Sequence, residues 1–257
     1  MTDDTAFDDT GYDDPRLTAL YDIENVGRWD IDFYLALAAE LAADCVVDIG
    51  CGTGVLAADL ATRGHRAIGV DPSAAMLDIA RSRPGGDQVQ WIHGYAASLP
   101  DAVADLVVMS GHVAQYFLTD QDWLELLGDA HRTLRPRGHL AFEMRNPAMR
   151  AWEQWTRSDS FQTLPHPGGG TFDSWVEVVE VAGGPRVTHH GHTVLPGGEH
   201  VESPETLRFR DLAELTESLQ ATGFGLTTAY GDWDHSPITP TSGELILVAA
   251  KGEAAPR

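Results

Sequence analysis

The chain has 257 residues and a mass of 27.8 kDa, with 39 Asp and Glu against 17 Lys and Arg, a formal net charge of −22. Such a charge repels phosphate backbones and anionic lipid headgroups, which argues against nucleic acid and membrane surfaces as partners. Apolar residues make up 43%, enough to fill a core, and Cys45 and Cys51 form no CxxC pair, so neither a disordered chain nor a disulfide framework is expected.

Asp3, Asp4, Asp8, Asp9, Asp13 and Asp14 mark residues 1–14 as a solvated acidic tail. No basic start leads into an apolar run, and the most apolar stretch, 34–47, is broken by Glu40 and Asp44. A soluble, cytoplasmic protein without a membrane span is expected. Residues 13–43 read as an aromatic-rich helical segment with Tyr21, Trp29, Phe33 and Tyr34. A buried strand follows at 45–49, then a helix at 55–63 stopped by Gly64. The strand at 66–70 ends at Asp71, and Pro72 and Ser73 open a helix with Met76, Leu77 and Ile79, stopped by Pro84-Gly85-Gly86. Strands follow at 89–92 and 105–109, the second apolar at Leu106, Val107 and Val108. Thr119 caps a helix with Asp122 at its third position and Trp123, Leu124, Leu127 and Leu134 on its apolar face. Residues 134–138 read as a turn and 139–144 as a fifth strand.

This alternation over 45–147 predicts an α/β fold, a doubly wound, mostly parallel sheet with helices on both faces. The rhythm breaks over 151–208, rich in Gly, Pro and His, with strand-like runs at 174–181, 186–195 and 206–210. An antiparallel β insertion of two or three strands is expected there, serving as a lid. Asp211 and Glu214 form a capping box, Gly223 ends that helix, and strands at 224–230 and 245–249 close the chain. The expected organisation is a tail at 1–14, a core at 15–150 and 209–252 with an N-terminal helical cap, and a lid at 151–208.

The chemistry concentrates at Asp48-Ile49-Gly50-Cys51-Gly52-Thr53-Gly54. Alternate glycines let the backbone turn sharply and let a ligand approach it closely. The loop follows a parallel strand at the expected switch point, where such sheets bind ligands. Asp71, ending the next strand, can accept hydrogen bonds from both ribose hydroxyls of an adenosine. An adenosine-bearing cofactor is therefore expected. The dinucleotide fingerprint G-x-G-x-x-G/A fails from Gly50, because Val55 takes its last place, but is met from Gly52 through Ala57. A NAD-dependent dehydrogenase thus remains an alternative, although the only lysine, Lys251, stands at the far C-terminal edge.

Asp-x-Gly-x-Gly-x-Gly at 48–54 is joined by Val-Asp-Pro-Ser-Ala-Ala-Met-Leu at 70–77, Gly-Tyr-Ala-Ala-Ser-Leu-Pro at 94–100 and Leu-Arg-Pro-Arg-Gly-His-Leu at 134–140. In combination these motifs resemble the class I S-adenosylmethionine-dependent methyltransferases of small-molecule type. The resemblance covers 12–147 by motif and the last two strands by order alone. It implies a seven-stranded, Rossmann-like sheet, with S-adenosylmethionine as cofactor and S-adenosylhomocysteine as product. It puts Asp48 and the backbone of Gly50, Cys51 and Gly52 beside the methionine moiety and Asp71 on the ribose. Pro72 and Met76 would flank the adenine, with Gly94, Tyr95 and Ala96 at its edge. Tyr95 stands where the family usually has Asp. Ser110 and Gly111 would line the sulfonium, and Tyr21 and Trp29 look like the lid aromatics of small-molecule members.

Methyl transfer needs alignment of nucleophile, methyl and sulfur, and a base only if the nucleophile arrives protonated. His112, directly after the fourth strand, is the candidate catalytic base; holding a loop is its alternative role. Gln115, Tyr116, Arg145 and Asn146 share that rim, with Tyr116 and Arg145 the expected substrate contacts. An ion pair with Glu143 or Asp71 would explain Arg145 equally. In His189-His190-Gly191-His192 only His190 and His192 share a strand face, and no nearby pattern completes a tetrahedral set, so no metal is expected. Trp152 and Trp155 either pack the insertion or line a pocket. Ser110-Gly111-His112-Val113 lacks the Asn/Asp-Pro-Pro-aromatic sequence of DNA adenine methylation. The resulting expectation is methyl transfer to the oxygen or nitrogen of a small molecule. The alternatives are the dehydrogenase or a non-catalytic cofactor-binding or regulatory protein of the same fold.

Overall fold

The computed structural model describes residues 10–183 and 186–252. It opens with α1 (Thr10–Asp13), α2 (Pro15–Thr18), α3 (Tyr21–Glu24) and α4 (Trp29–Glu40). Thr10–Asp13 thus form a helical turn where the sequence reads as acidic tail. The reason is Tyr12, whose hydroxyl bonds that of Tyr116 at 2.6 Å and whose carbonyl accepts from Ser73 Oγ at 2.7 Å. Residues 1–9 of the expected tail lie outside the described residues.

The core alternates β1 (Cys45–Ile49), α5 (Val55–Thr62), β2 (Arg66–Asp71), α6 (Ala74–Ser82), β3 (Gln90–His93), β4 (Ala104–Met109), α7 (Asp120–Thr133) and β5 (Leu134–Arg145). After a break come α8 (Arg157–Ser160), β6 (Gln162–Pro165), β7 (Thr171–Ala182), β8 (Arg186–Val194) and β9 (His200–Arg208). The chain then returns through α9 (Leu212–Ala221), β10 (Phe224–Tyr230) and β11 (Glu244–Lys251). The main sheet has seven strands in the order β10-β11-β5-β4-β1-β2-β3. Strands β1 to β5 pair in parallel, and β11 runs antiparallel to both β5 and β10. The order reverses between β1 and β4, which opens a crevice beyond their carboxyl ends.

Both faces of the sheet are covered, which is why β1 is buried at every position. Val47, Ile49, Val107, Met109 and Phe142 face one core with Trp123, Leu127, Leu215 and Leu219 of α7 and α9. Val46, Leu106, Val108, Ala141 and Ile246 face the other, under Phe33, Tyr34 and Leu37 of α4 and Leu56 and Leu60 of α5. Alternate residues of one strand therefore serve opposite layers.

Two expectations change. Residues 134–138, read as a turn, belong to β5: Ala104 pairs Leu134 and Leu106 pairs His139, so the extra residues form a bulge, with Arg137 at φ 69°. The insertion has four strands, in the order β6-β7-β8-β9, where two or three were expected. β6 is short and polar, and the first half of β9 carries Glu202 and Pro204, so neither shows an apolar period. No helix among the described residues is long and apolar enough to cross a membrane.

Candidate functional site

The glycine loop is anchored from below. Gly50 N–H and Cys51 N–H both donate to the Val70 carbonyl, at 2.8 and 3.2 Å, tying the loop to β2. Gly50 has φ 69°, and a Cβ there would stand 2.5 Å from Val113 Cγ2, so the position requires glycine on two counts. Gly52, at φ 51°, has open space where its Cβ would be, which leaves its flank accessible to a ligand. Its N–H donates to Asp71 Oδ2 at 2.7 Å, while Ser73 N–H donates to Oδ1 at 2.9 Å. Burial pushes the Asp71 carboxyl above its ordinary range, and these two N–H groups pull it back.

Asp48 is the outlier. The residue is 1% exposed, and neither carboxyl oxygen has a hydrogen-bond partner among the described residues. Burial holds it well above the usual carboxylate range, reinforced by Asp71, Glu143 and Asp30. Such a group costs roughly 1–3 kcal/mol while unpaired. A ligand carrying positive charge would supply what it lacks. The α-ammonium and sulfonium of S-adenosylmethionine fit this acidic setting, as its ribose hydroxyls fit Asp71. Cys51, buried between these carboxyls, has its thiol pushed up and serves as packing.

The adenine-side candidates gather at the ends of β2 and β3. Gly94 N–H donates to the Asp71 carbonyl at 3.0 Å, and His93 Nε2 contacts the Pro72 carbonyl at 2.8 Å, drawing the two strand ends together. Met76 and Ala96 are buried, while Tyr95 is 54% exposed. Beyond β4, Ser110 is half-buried, and Gly111 stands at φ 72° with open space beside it. Tyr21 packs edge-on against Tyr12 at 5.9 Å, and burial raises its hydroxyl pKa, with Glu205, Asp22 and Asp71 adding to the shift. Trp29 is 65% exposed and lines a cleft of about 810 Å³ with Phe33, Trp233, His235 and Glu244.

His112 sits in a left-handed conformation, φ 62°, immediately after the β4 end. Its backbone N–H donates to Glu143 Oε1 at 2.5 Å, and Glu143 also accepts from the Tyr34 hydroxyl. Glu143 is fully buried; burial raises its pKa, opposed by His112 and Tyr34. The His112 ring reaches Glu244 through Nε2, 3.0 Å from Oε2. With the Nε2 proton on that carboxylate, Nδ1 keeps the ring's basic lone pair.

A row of polar and aromatic groups runs from β5 to the N-terminal turns. Arg145 Nη1 donates to Gln115 Oε1 at 2.8 Å and its guanidinium lies 5.6 Å from the Trp155 ring centre, so its partner is neither Glu143 nor Asp71. Gln115 is fully buried, and its Nε2 has no hydrogen-bond partner among the described residues. Trp155 meets His189 edge-on at 4.9 Å, and His189 Nε2 is 3.7 Å from Glu205 Oε2. Burial, helped by Arg145 and His190, pushes the His189 pKa down to about 4, and its Nδ1 also has no hydrogen-bond partner among the described residues. Burial also raises the Glu205 carboxyl pKa, opposed by hydrogen bonds from the Tyr12 and Tyr116 hydroxyls. Tyr116 donates to Glu205 Oε2 at 3.2 Å and meets Tyr12. Asn146 is spoken for by backbone: its Nδ2 donates to the Ser242 carbonyl and its Oδ1 accepts from Ala148 N–H. Trp152 packs on Phe209 at 4.6 Å.

The sequence reading missed Tyr12, His189, Glu205 and Glu244. Each reaches the rim through pairing between distant segments, which no local pattern reports. Glu143 carried a signal, a lone charge inside Leu140-Ala141-Phe142-Glu143-Met144.

A model of the methyltransferase domain matches residues 46–138, the stretch that holds the glycine loop, Asp71 and His112. The chain is 31% identical over 204 residues to the biotin biosynthesis bifunctional protein BioHC of Cellvibrio japonicus, covering 77% of this chain but only 36% of that relative. Among solved structures, the CcbJ methyltransferase of Streptomyces caelestis superposes with a TM-score of 0.79 at 22% identity, over 96% of this chain and 100% of that one. CalS10 of Micromonospora echinaspora, an amino pentose methyltransferase with S-adenosylmethionine bound, superposes with a TM-score of 0.66 at 18% identity, over 89% and 93% of the two chains. None of these supports the dehydrogenase alternative. Motifs, sheet order and matched domain agree: residues 46–138 carry a methyltransferase domain, set in the Rossmann-like sheet of the class I S-adenosylmethionine-dependent methyltransferases.

Proposed function

We propose that this protein methylates a small molecule at nitrogen or oxygen, with an amine the favoured acceptor. The observation that carries this reading is the rim itself. Half-buried Glu205, the Gln115 Nε2 and His189 Nδ1 that lack partners among the described residues, and the rings of Tyr12, Tyr116 and Trp155 form one connected row. Such a row offers a compact polar molecule hydrogen bonds that the protein does not make for itself. A carboxyl among aromatic rings also complements an ammonium. The amino pentose substrate class named for the similar CalS10 supports the same choice. The net charge of −22 argues against a nucleic-acid acceptor.

In this reading Asp48 and the backbone of Gly50 to Gly52 hold the methionine end of S-adenosylmethionine, and Asp71 holds the ribose. Pro72, Met76 and residues 94–96 enclose the adenine, and Ser110, Gly111 and Tyr21 border the sulfonium. When bound, the cofactor supplies an electrophilic methyl group whose leaving sulfur needs no proton. The chain's own work is alignment and exclusion of water, by the 10–24 turns and the four-stranded sheet acting as lid. His112, held at Nε2 by Glu244, takes the acceptor's proton at Nδ1.

The test is S-adenosylhomocysteine release from purified protein offered amino sugars, simple amines, phenols and alcohols, with oligonucleotides as controls. Turnover with an amine that drops sharply in Glu205→Gln supports the reading. Turnover confined to oligonucleotides, or an amine reaction indifferent to Glu205→Gln, refutes it.

A further inference from the structure

The histidine-rich strand β8 acquires partners from β9 that the methyl-transfer reading does not use. His192 pairs directly with Glu202, and Val194 with His200, so His192, His200 and Glu202 share one face of the four-stranded sheet. His190, two residues before His192, is on that face as well, as are Trp175 and Glu177 of β7. The donor atoms of His192, His200 and Glu202 all lie within 4.8 Å of one another. His192 Nδ1 is 3.1 Å from His200 Nε2 and 3.8 Å from Glu202 Oε1. Tetrahedral zinc, with ligands at about 2.0–2.1 Å, has donor–donor edges of about 3.3 Å, so small side-chain rotations suffice.

A second set of contacts holds these donors in place. His192 Nε2, the ring nitrogen turned away from His200, is 3.4 Å from Glu177 Oε2. The same carboxylate oxygen accepts from Trp175 Nε1 at 2.8 Å. The indole stacks on the His192 ring at 4.8 Å with 13° between planes, and Arg157 lies over the indole at 4.4 Å. A carboxylate on the far nitrogen of a histidine fixes ring and tautomer, leaving the near nitrogen as a ligand; metal-bound histidines are oriented in this way. The other Glu202 oxygen is 3.7 Å from His190 Nδ1, which turns Oε1 toward the pair.

We propose that His192, His200 and Glu202 bind a zinc-class divalent cation on this face, with solvent completing the coordination. Two imidazoles and a carboxylate suit zinc or its neighbours better than calcium or magnesium, which prefer oxygen donors. The ion would clamp β8 to β9 across the Pro196-Gly197-Gly198 turn. Because β9 continues to Glu205, the clamp would fix the strand that carries the rim carboxyl.

Zinc uptake by tag-free, full-length protein, measured against a chromogenic chelator, tests this without reference to methyl transfer. One zinc per chain is expected, with a raised melting temperature and, for cobalt(II), the visible absorption of a tetrahedral site. Glu177→Gln should weaken zinc by ~10-fold or more. The exposed His200 can be replaced without disturbing the core, so His200→Ala should abolish the cobalt spectrum while leaving the circular dichroism unchanged. Absence of stoichiometric uptake, or uptake undiminished in the His192→Ala/His200→Ala double variant, overturns the proposal.

Discussion

Glu244, at the start of β11, holds the His112 ring at the carboxyl edge of the sheet, its Oε2 3.0 Å from Nε2 across 132 residues of sequence. A carboxylate there fixes the tautomer that leaves Nδ1 able to accept a proton. His112→Ala is expected to cut turnover by ~10²–10⁴ with cofactor affinity nearly intact. His112→Asn keeps hydrogen bonding without basicity near neutrality and should lose nearly as much. Glu244→Gln should fall between wild type and these. Single-turnover rates decide; an active Asn variant would mean that alignment alone drives transfer.

Asp71 joins two tasks, accepting from Gly52 and Ser73 and presenting its carboxylate at the end of β2. Asp71→Ala should weaken S-adenosylmethionine by ~1.5–3 kcal/mol, the loss of charge-assisted hydrogen bonds. Calorimetric titration measures it, and unchanged affinity would place the ribose elsewhere.

Asp48 makes cofactor binding a proton-linked event. Burial holds its carboxyl well above the ordinary range, reinforced by the neighbouring carboxyls of Asp71, Glu143 and Asp30. A bound cation favours the ionised form, so binding releases a proton and affinity rises with pH through the elevated pKa, then levels off. Titrations in buffers of different ionisation heat should reveal that release. Asp48→Asn should abolish it, and S-adenosylhomocysteine, lacking the sulfonium charge, should show less of it.

His189 links stability to acid. Its native pKa of about 4 lies below the ordinary 6.5, so between those values the unfolded chain binds a proton that the native chain refuses. Stability therefore falls as pH drops through that window, by ~2–3 kcal/mol in all. Urea melts of wild type and His189→Gln across the window should converge toward acid. Parallel pH profiles would show that His189 is not buried neutral.

The sheet was legible because its strands are short apolar runs between helices with clear caps. Thr119, Ser73 and Asp211 each accept from a helix N-terminus as their spacing implies. The glycine loop and Asp71 were legible because both sit on consecutive elements of one crossover. The rim was not. Arg145 invited an ion pair on charge alone, whereas packing against Trp155 and Gln115 settles its partner. His192 offered half a ligand set, because His200 and Glu202 join it only through the β8–β9 register. Tyr12 was hidden among aspartates whose charge outweighs one aromatic in any local reading.

The sheet order also carries a timetable. β11, made last, lies between β5 and β10, both of which precede it in the chain. Until β11 inserts, β5 and β10 each lack a neighbour and Glu244 is absent from His112. Strands β1 to β5 and their helices can assemble early, since their contacts are close in sequence. The crevice can therefore form while its histidine is still unsupported. A refolding chain should regain helical signal, and then affinity for the cofactor, before it turns over substrate.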